Sequence, residues 1–138
     1  MAKADRRPMT LLMISAEAER VHMALMTGAT AAAMGRPVTF FFSKAAACFL
    51  TEGGWAEFRT TTGHPAPTMD QTLEAKGVAD TSVLLDGLAA LDVRFVACET
   101  ALREHDIDAV DLVKRPAVEV SGLADVIEKG AGGDWLTF

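Results

Sequence analysis

Only two cysteines, Cys48 and Cys98, occur in the 138 residues. They stand far apart, with no CxxC and no Cys/His ligand spacing, which excludes a disulfide scaffold and a zinc site. Both are expected to be reduced thiols. No apolar run approaches the roughly 20 residues that a membrane-spanning helix requires, so no membrane is expected and the chain reads as soluble and cytoplasmic. The basic residues are scattered and the formal charge is -6. The cationic stripe that phosphate backbones require is therefore missing, and nucleic acid is excluded as a partner. Arg6-Arg7 precedes an apolar run, but Met9–Ile14 is too short for the core of an export signal. Residues 1–8 are expected to be a flexible tail before a single domain over 9–138.

The nucleotide motifs are missing as well. No GxGxxG follows the first apolar run and no GxxxxGK[ST] occurs anywhere, while Ser15 to Glu19 lacks the glycines or threonines of a flavin-phosphate cradle. Leu12-Met13-Ile14-Ser15 stands where a receiver domain needs acidic residues. The three histidines, His22, His64 and His105, have no metal-ligand spacing. His105 is explained by its charge near a helix C-terminus, and His22 by surface or interface placement.

What is present is apolar substance, 50% hydrophobic against 23% charged residues, enough to offset the entropy of ordering the chain. Met9–Ile14 and Pro37–Phe42 are short continuous apolar runs, the mark of strands covered on both faces. Between them Glu17–Met34 is patterned as a helix with Val21, Ala24, Leu25, Gly28 and Ala32 on one side, stopped by Gly35. Lys44–Leu50 reads as a second helical segment. The Gly-, Thr- and Pro-rich stretch 51–79 is too long for a plain loop, and Thr68 with Gln71 fits a capping box for a helix over Met69–Lys76. Asp80 caps another helix, carrying Leu84, Leu88 and Leu91, that leads to the strand at Val93. A helix through His105, a turn over Asp108–Leu112, the strand Ala117–Val120, a helix to Lys129 and the strand Trp135–Phe138 complete the chain. Alternation of this kind predicts a three-layer α/β fold of flavodoxin-like class: five mostly parallel strands with helices on both faces.

Parallel strands point their carboxyl ends to one edge, and the loops after them form the usual site. That edge gathers Ser15, Glu17, Ser43, Lys44, Ala97-Cys98-Glu99 and Ser121-Gly122. Cys98 ends a strand and begins a helix, where unpaired N–H groups favour a thiolate. Ser15, Glu17, Lys44, Cys48, Glu99 and Ser121 are the expected pocket walls. Glu99 opposes the thiolate electrostatically, and Lys44 compensates if it reaches across. A free cysteine is also a good small hydrophobe, so burial in the core remains the competing reading for Cys98 and, amid Ala45, Ala46, Ala47, Phe49 and Leu50, still more for Cys48.

Ala97-Cys98-Glu99-Thr100-Ala101-Leu102 followed by Ile107, together with Gly35–Phe42 and Val118–Leu123 leading to Leu136-Thr137-Phe138, resembles the DsrE/DsrF-like family. These are small α/β proteins related to sulfur-relay components such as TusD. The likeness runs along nearly the whole chain after residue 8 and is poorest over 51–79. The chain departs from some relatives in having His105-Asp106 where they carry Met-Gly, and in lacking a second cysteine beside Cys98. The resemblance implies that Cys98 carries sulfur as a persulfide, with no metal or organic cofactor. Its partners would then be sulfur donor and acceptor proteins or small persulfides. It further implies a homo-oligomer, which the apolar long helix and Phe40-Phe41-Phe42 would suit. A solitary cysteine suffices for a carrier, whereas a disulfide oxidoreductase needs a resolving partner. The alternatives are a non-catalytic small-ligand-binding or assembly protein of the same fold, and a redox sensor pairing Cys48 with Cys98.

Overall fold

The computed structural model describes residues 6–138; of the expected tail, residues 1–5 lie outside the described residues. Five parallel strands, β1 (Met9–Met13), β2 (Val38–Phe42), β3 (Val93–Cys98), β4 (Val118–Ser121) and β5 (Asp134–Thr137), form one sheet. Their order is β4-β3-β2-β1-β5. The expected class is observed, with strand ends shifted by a residue at most.

The helix expected over Glu17–Met34 is α1 (Ala18–Ala33), with Glu17 and Met34 as its caps. Its inner face is built from small residues because it lies close on the sheet: a Cβ at Gly28 would stand 2.3 Å from the Phe40 ring. α2 (Ala66–Ala75) and α3 (Thr81–Ala90) intervene between β2 and β3, and α3 packs beside α1. α4 (Glu99–Glu104) follows β3 directly, and α5 (Leu123–Lys129) follows β4.

Period-two alternation in the strands divides the interior into two layers. Leu11, Met13, Phe40, Phe42, Phe95 and Ala97 face α1 and α3, and the Phe40 and Phe95 rings stack with centroids 5.1 Å apart. Phe41, Val96 and Cys98 face the other way, covered by Ala47, Ala101 and Val126 of α5. Phe40, Phe41 and Phe42 are all buried. The aromatic run is therefore core and supplies no outward face for a second subunit.

Other expectations fail locally. Lys44–Leu50 is a 3-10 helix rather than an α-helix. The Thr68–Gln71 capping box does not form: α2 begins three residues earlier, its N-cap is Pro65, and the Thr68 N–H donates to the Pro65 carbonyl at 3.0 Å. Proline sets a helical start without a side-chain cap, and that signal outranks a hydroxyl within the first turn. His22, expected at the surface or an interface, is 7% exposed within the chain itself and pairs through Nε2 with the Ala79 carbonyl at 2.9 Å.

One carboxylate ties segment 51–79 to the start of α3. Asp70 Oδ1 accepts from the Thr81 backbone N–H at 2.9 Å and the Thr81 hydroxyl at 2.8 Å, and Oδ2 accepts from Trp55 Nε1 at 2.7 Å. A 3-10 turn (Gly54–Glu57), α2 and the start of α3 are joined at that point. Beside the first strand, Arg7 donates to Asp134 at 2.9 Å and Arg36 Nε to the Arg7 carbonyl at 2.8 Å.

Candidate functional site

β3 runs straight into α4, so the last residue of the strand is also the cap of the helix, and that residue is Cys98. Beside it on the sheet, Ser121 of β4 is its register partner, and Ser43 follows the Phe42–Ala97 pair on the other side. The thiol thus lies between two serine-bearing strand ends at the carboxyl edge.

Cys98 Sγ lies 3.0 Å from Thr100 Oγ1. Burial pushes the thiol pKa up, but the Ser43 and Thr100 hydroxyls and the backbone N–H groups of Ala101 and Thr100 stabilise the thiolate. The hydrogen bonds outweigh the burial, so the pKa is lowered.

The expected open thiol is not observed: Cys98 is 5% exposed. Its cover is mixed in character. Phe41, Val96, Ala101 and Val126 share its apolar cluster, while Glu99 and Thr100, the next two residues, are exposed. The helix start thus lines the sulfur with donors and leaves it just beneath polar surface.

Of the expected pocket walls, Ser121 and Glu99 adjoin Cys98. Lys44 does not compensate the thiolate: its residue adopts φ 49, in the left-handed region, and its ammonium pairs with Glu104 at 3.3 Å. Ser15 and Glu17 serve the start of α1, where Ser15 Oγ accepts from the Glu17 N–H at 3.0 Å and Glu17 pairs with Arg20 at 3.7 Å. Cys48 is half-buried and packs against the cluster on the α1 side of the sheet, whereas Cys98 belongs to the other. The two thiols are free and are not brought together in one layer.

The sequence places Ser43 at this edge without assigning it a role, and the Thr100 hydroxyl escaped it. The second had a signal: a hydroxyl two residues past a strand-end cysteine lies in the first helical turn, within reach of the sulfur. Among the described residues, no group of three or more His, Cys, Asp or Glu side chains is arranged to hold a metal ion. None of their helices is long and apolar enough to cross a membrane.

A solved structure agrees on the fold. MTH1491 from Methanobacterium thermoautotrophicum, a protein of unknown function, superimposes with a TM-score of 0.64 at 16% identity, over 97% of this chain and 100% of its own. The ychN protein from E. coli gives a TM-score of 0.49 at 14% identity, covering 96% of this chain and 99% of its own. No curated protein matches the sequence. The model of the DsrE/DsrF-like family matches residues 9–138, from the first residue of β1 to Phe138. The chain belongs to the DsrE/DsrF-like family.

Proposed function

We propose that this protein is a sulfur carrier, a sulfurtransferase in the loose sense, that accepts and passes on persulfide sulfur at Cys98. The observation that carries this reading is the hydrogen-bonded thiol whose pKa is lowered despite its burial. Family membership and the position at the carboxyl edge of a parallel sheet support it.

The chemistry is a pair of displacements. The Cys98 thiolate attacks the outer sulfur of a donor persulfide; a new S–S bond forms on Cys98, the donor's S–S bond breaks, and the donor leaves as its thiolate. An acceptor thiolate then attacks the outer sulfur on Cys98, and Cys98 departs as the thiolate it began as. Sulfur moves with no net oxidation, so neither a metal nor an organic cofactor is called for. The Ser43 and Thr100 hydroxyls and the N–H groups of Thr100 and Ala101 stabilise Cys98 whenever it bears the charge. In the same reading the partners are sulfur donor and acceptor proteins or small persulfides, and the carrier works in the cytoplasm as a homo-oligomer.

Incubating the reduced protein with a persulfide donor and weighing it intact tests the proposal. One added sulfur is expected, and none on Cys98→Ser; an adduct that survives this substitution, or no adduct on the parent, overturns it. The 5% exposure of Cys98 favours a second reading, a binding or assembly protein of the same fold that merely tolerates the thiol. Slow alkylation of Cys98 at neutral pH, comparable to that of a buried core cysteine, would establish that reading instead.

A further inference from the structure

Many charged side chains of the strands and helices around Cys98 are spent on one another. Glu17 pairs with Arg20, and Lys44 with Glu104. Arg94, Lys129, Glu119 and Asp125 form a cluster of two cations and two anions. Arg103, one turn along α4 from Glu99, forms no ion pair with it among the described residues and lines a hollow with Asp106 and Asp108. Glu99 is different: it follows Cys98 directly, is exposed, and its side chain has neither an ion pair nor a hydrogen bond among the described residues.

Its carboxylate also lies close to the end of β4. A Cβ at Gly122 would stand 3.1 Å from Glu99 Oε1, so the carboxylate lies against the Ser121-Gly122 bend, beside the strand end that pairs with Cys98. Glycine at 122 leaves room for it. The surface beside the sulfur thus carries a carboxylate that is in no ion pair among the described residues, within a Debye length of Cys98, about 10 Å at 0.1 M salt.

We infer that Glu99 selects the charge of the sulfur donor, admitting persulfides that carry an ammonium or guanidinium beside the outer sulfur and repelling anionic ones such as inorganic polysulfide. The inference rests on the carrier reading above and adds the substrate class to it. An approaching anion meets the carboxylate before it meets the thiolate, whereas a cation gains from both. The cation can come from a small aminothiol or from a basic patch around a partner's cysteine; the selecting chemistry is the same.

The test uses the reduced full-length chain and two methanethiosulfonates, one ending in trimethylammonium and one in sulfonate. The Cys98 thiolate attacks the sulfenyl sulfur, a new S–S bond forms, and methanesulfinate leaves with the electron pair of the broken bond. Rates at Cys98 are read by peptide mass spectrometry and divided by those of a small neutral thiol, which removes intrinsic reactivity. At low salt the cationic reagent is expected to be favoured about tenfold, a preference lost near 1 M salt. Glu99→Gln is expected to bring the ratio close to one. A change in thiol pKa caused by that substitution acts on both reagents alike and cancels. A parent ratio near one, or a ratio that Glu99→Gln leaves unchanged, overturns the inference even if persulfide still forms on Cys98. If neither reagent modifies Cys98 and no persulfide forms, the carrier reading falls as well.

Discussion

The sulfur of Cys98 and the hydroxyl oxygen of Thr100 lie 3.0 Å apart across the first turn of α4. A hydroxyl at the surface thereby joins Ser43 and the N–H groups of Ala101 and Thr100 in favouring the thiolate beneath it.

Thr100→Val keeps the shape of that side chain and removes its hydroxyl. The thiol should then titrate at higher pH than in the parent, where it sits below its ordinary value once the opposing burial has been overcome. Alkylation of Cys98 followed against pH should show its inflection move upward, and upward again with Ser43→Ala. Thr100→Ser should restore the parent profile. An inflection indifferent to both Thr100→Val and Ser43→Ala would mean that the hydroxyls do not stabilise the thiolate.

Gly28→Ala tests the closeness of α1 to the sheet. The new methyl would stand 2.3 Å from the ring of Phe40, which is fully buried and stacked on Phe95, so neither can yield cheaply. Overpacking of this kind costs about 1 to 3 kcal/mol. Urea denaturation should register the loss, although alanine is intrinsically the better helix former.

Asp70→Ala removes the acceptor shared by Trp55 and Thr81. Hydrogen bonds to a charged group contribute about 1.5 to 3 kcal/mol. The variant should lose stability on that scale, and hydrogen exchange should quicken in α2 and at the start of α3 before it does in β1 to β3. Uniform quickening would show that the segment is not an independent cooperative unit.

Asp80 caps α3 by accepting from the Val83 N–H at 2.9 Å, and this bond, first among several causes, lowers its pKa. Asp80→Ala should cost about 1 kcal/mol at neutral pH. The depressed folded-state pKa makes the contribution complete above the unfolded value, about 3.9, and lost as pH falls through the folded one. The gap in stability between parent and variant should therefore close in acid. A gap constant down to the acid limit would remove the carboxylate from the cap.

Much of this architecture was legible because short apolar runs and helix punctuation are local. Asp80 announces α3, Gly35 ends α1, and the strands stand out as short apolar, β-branched or aromatic runs between polar turns. What escaped was set by partners distant in sequence. His22 looks like a surface residue until the Ala79 carbonyl, 57 positions away, is brought to it. Lys44 is near Cys98 in topology, yet a left-handed turn and Glu104 take it elsewhere. The Phe40–Phe42 run reads as an excess of apolar surface until both faces of the sheet prove to be covered. The exposure of Cys98 was misjudged for a related reason, because its cover includes Val126 of α5, an element that follows another strand.

The strand order carries a temporal consequence. β1 to β4 lie side by side in the order in which a ribosome releases them, whereas β5 must return across the sheet to the free flank of β1. A nascent chain can therefore assemble four strands by neighbour-to-neighbour addition, with the costly long-range closure deferred. Val126 emerges only after β4, so during synthesis Cys98 passes through a stage in which the layer that later shelters it has not yet arrived.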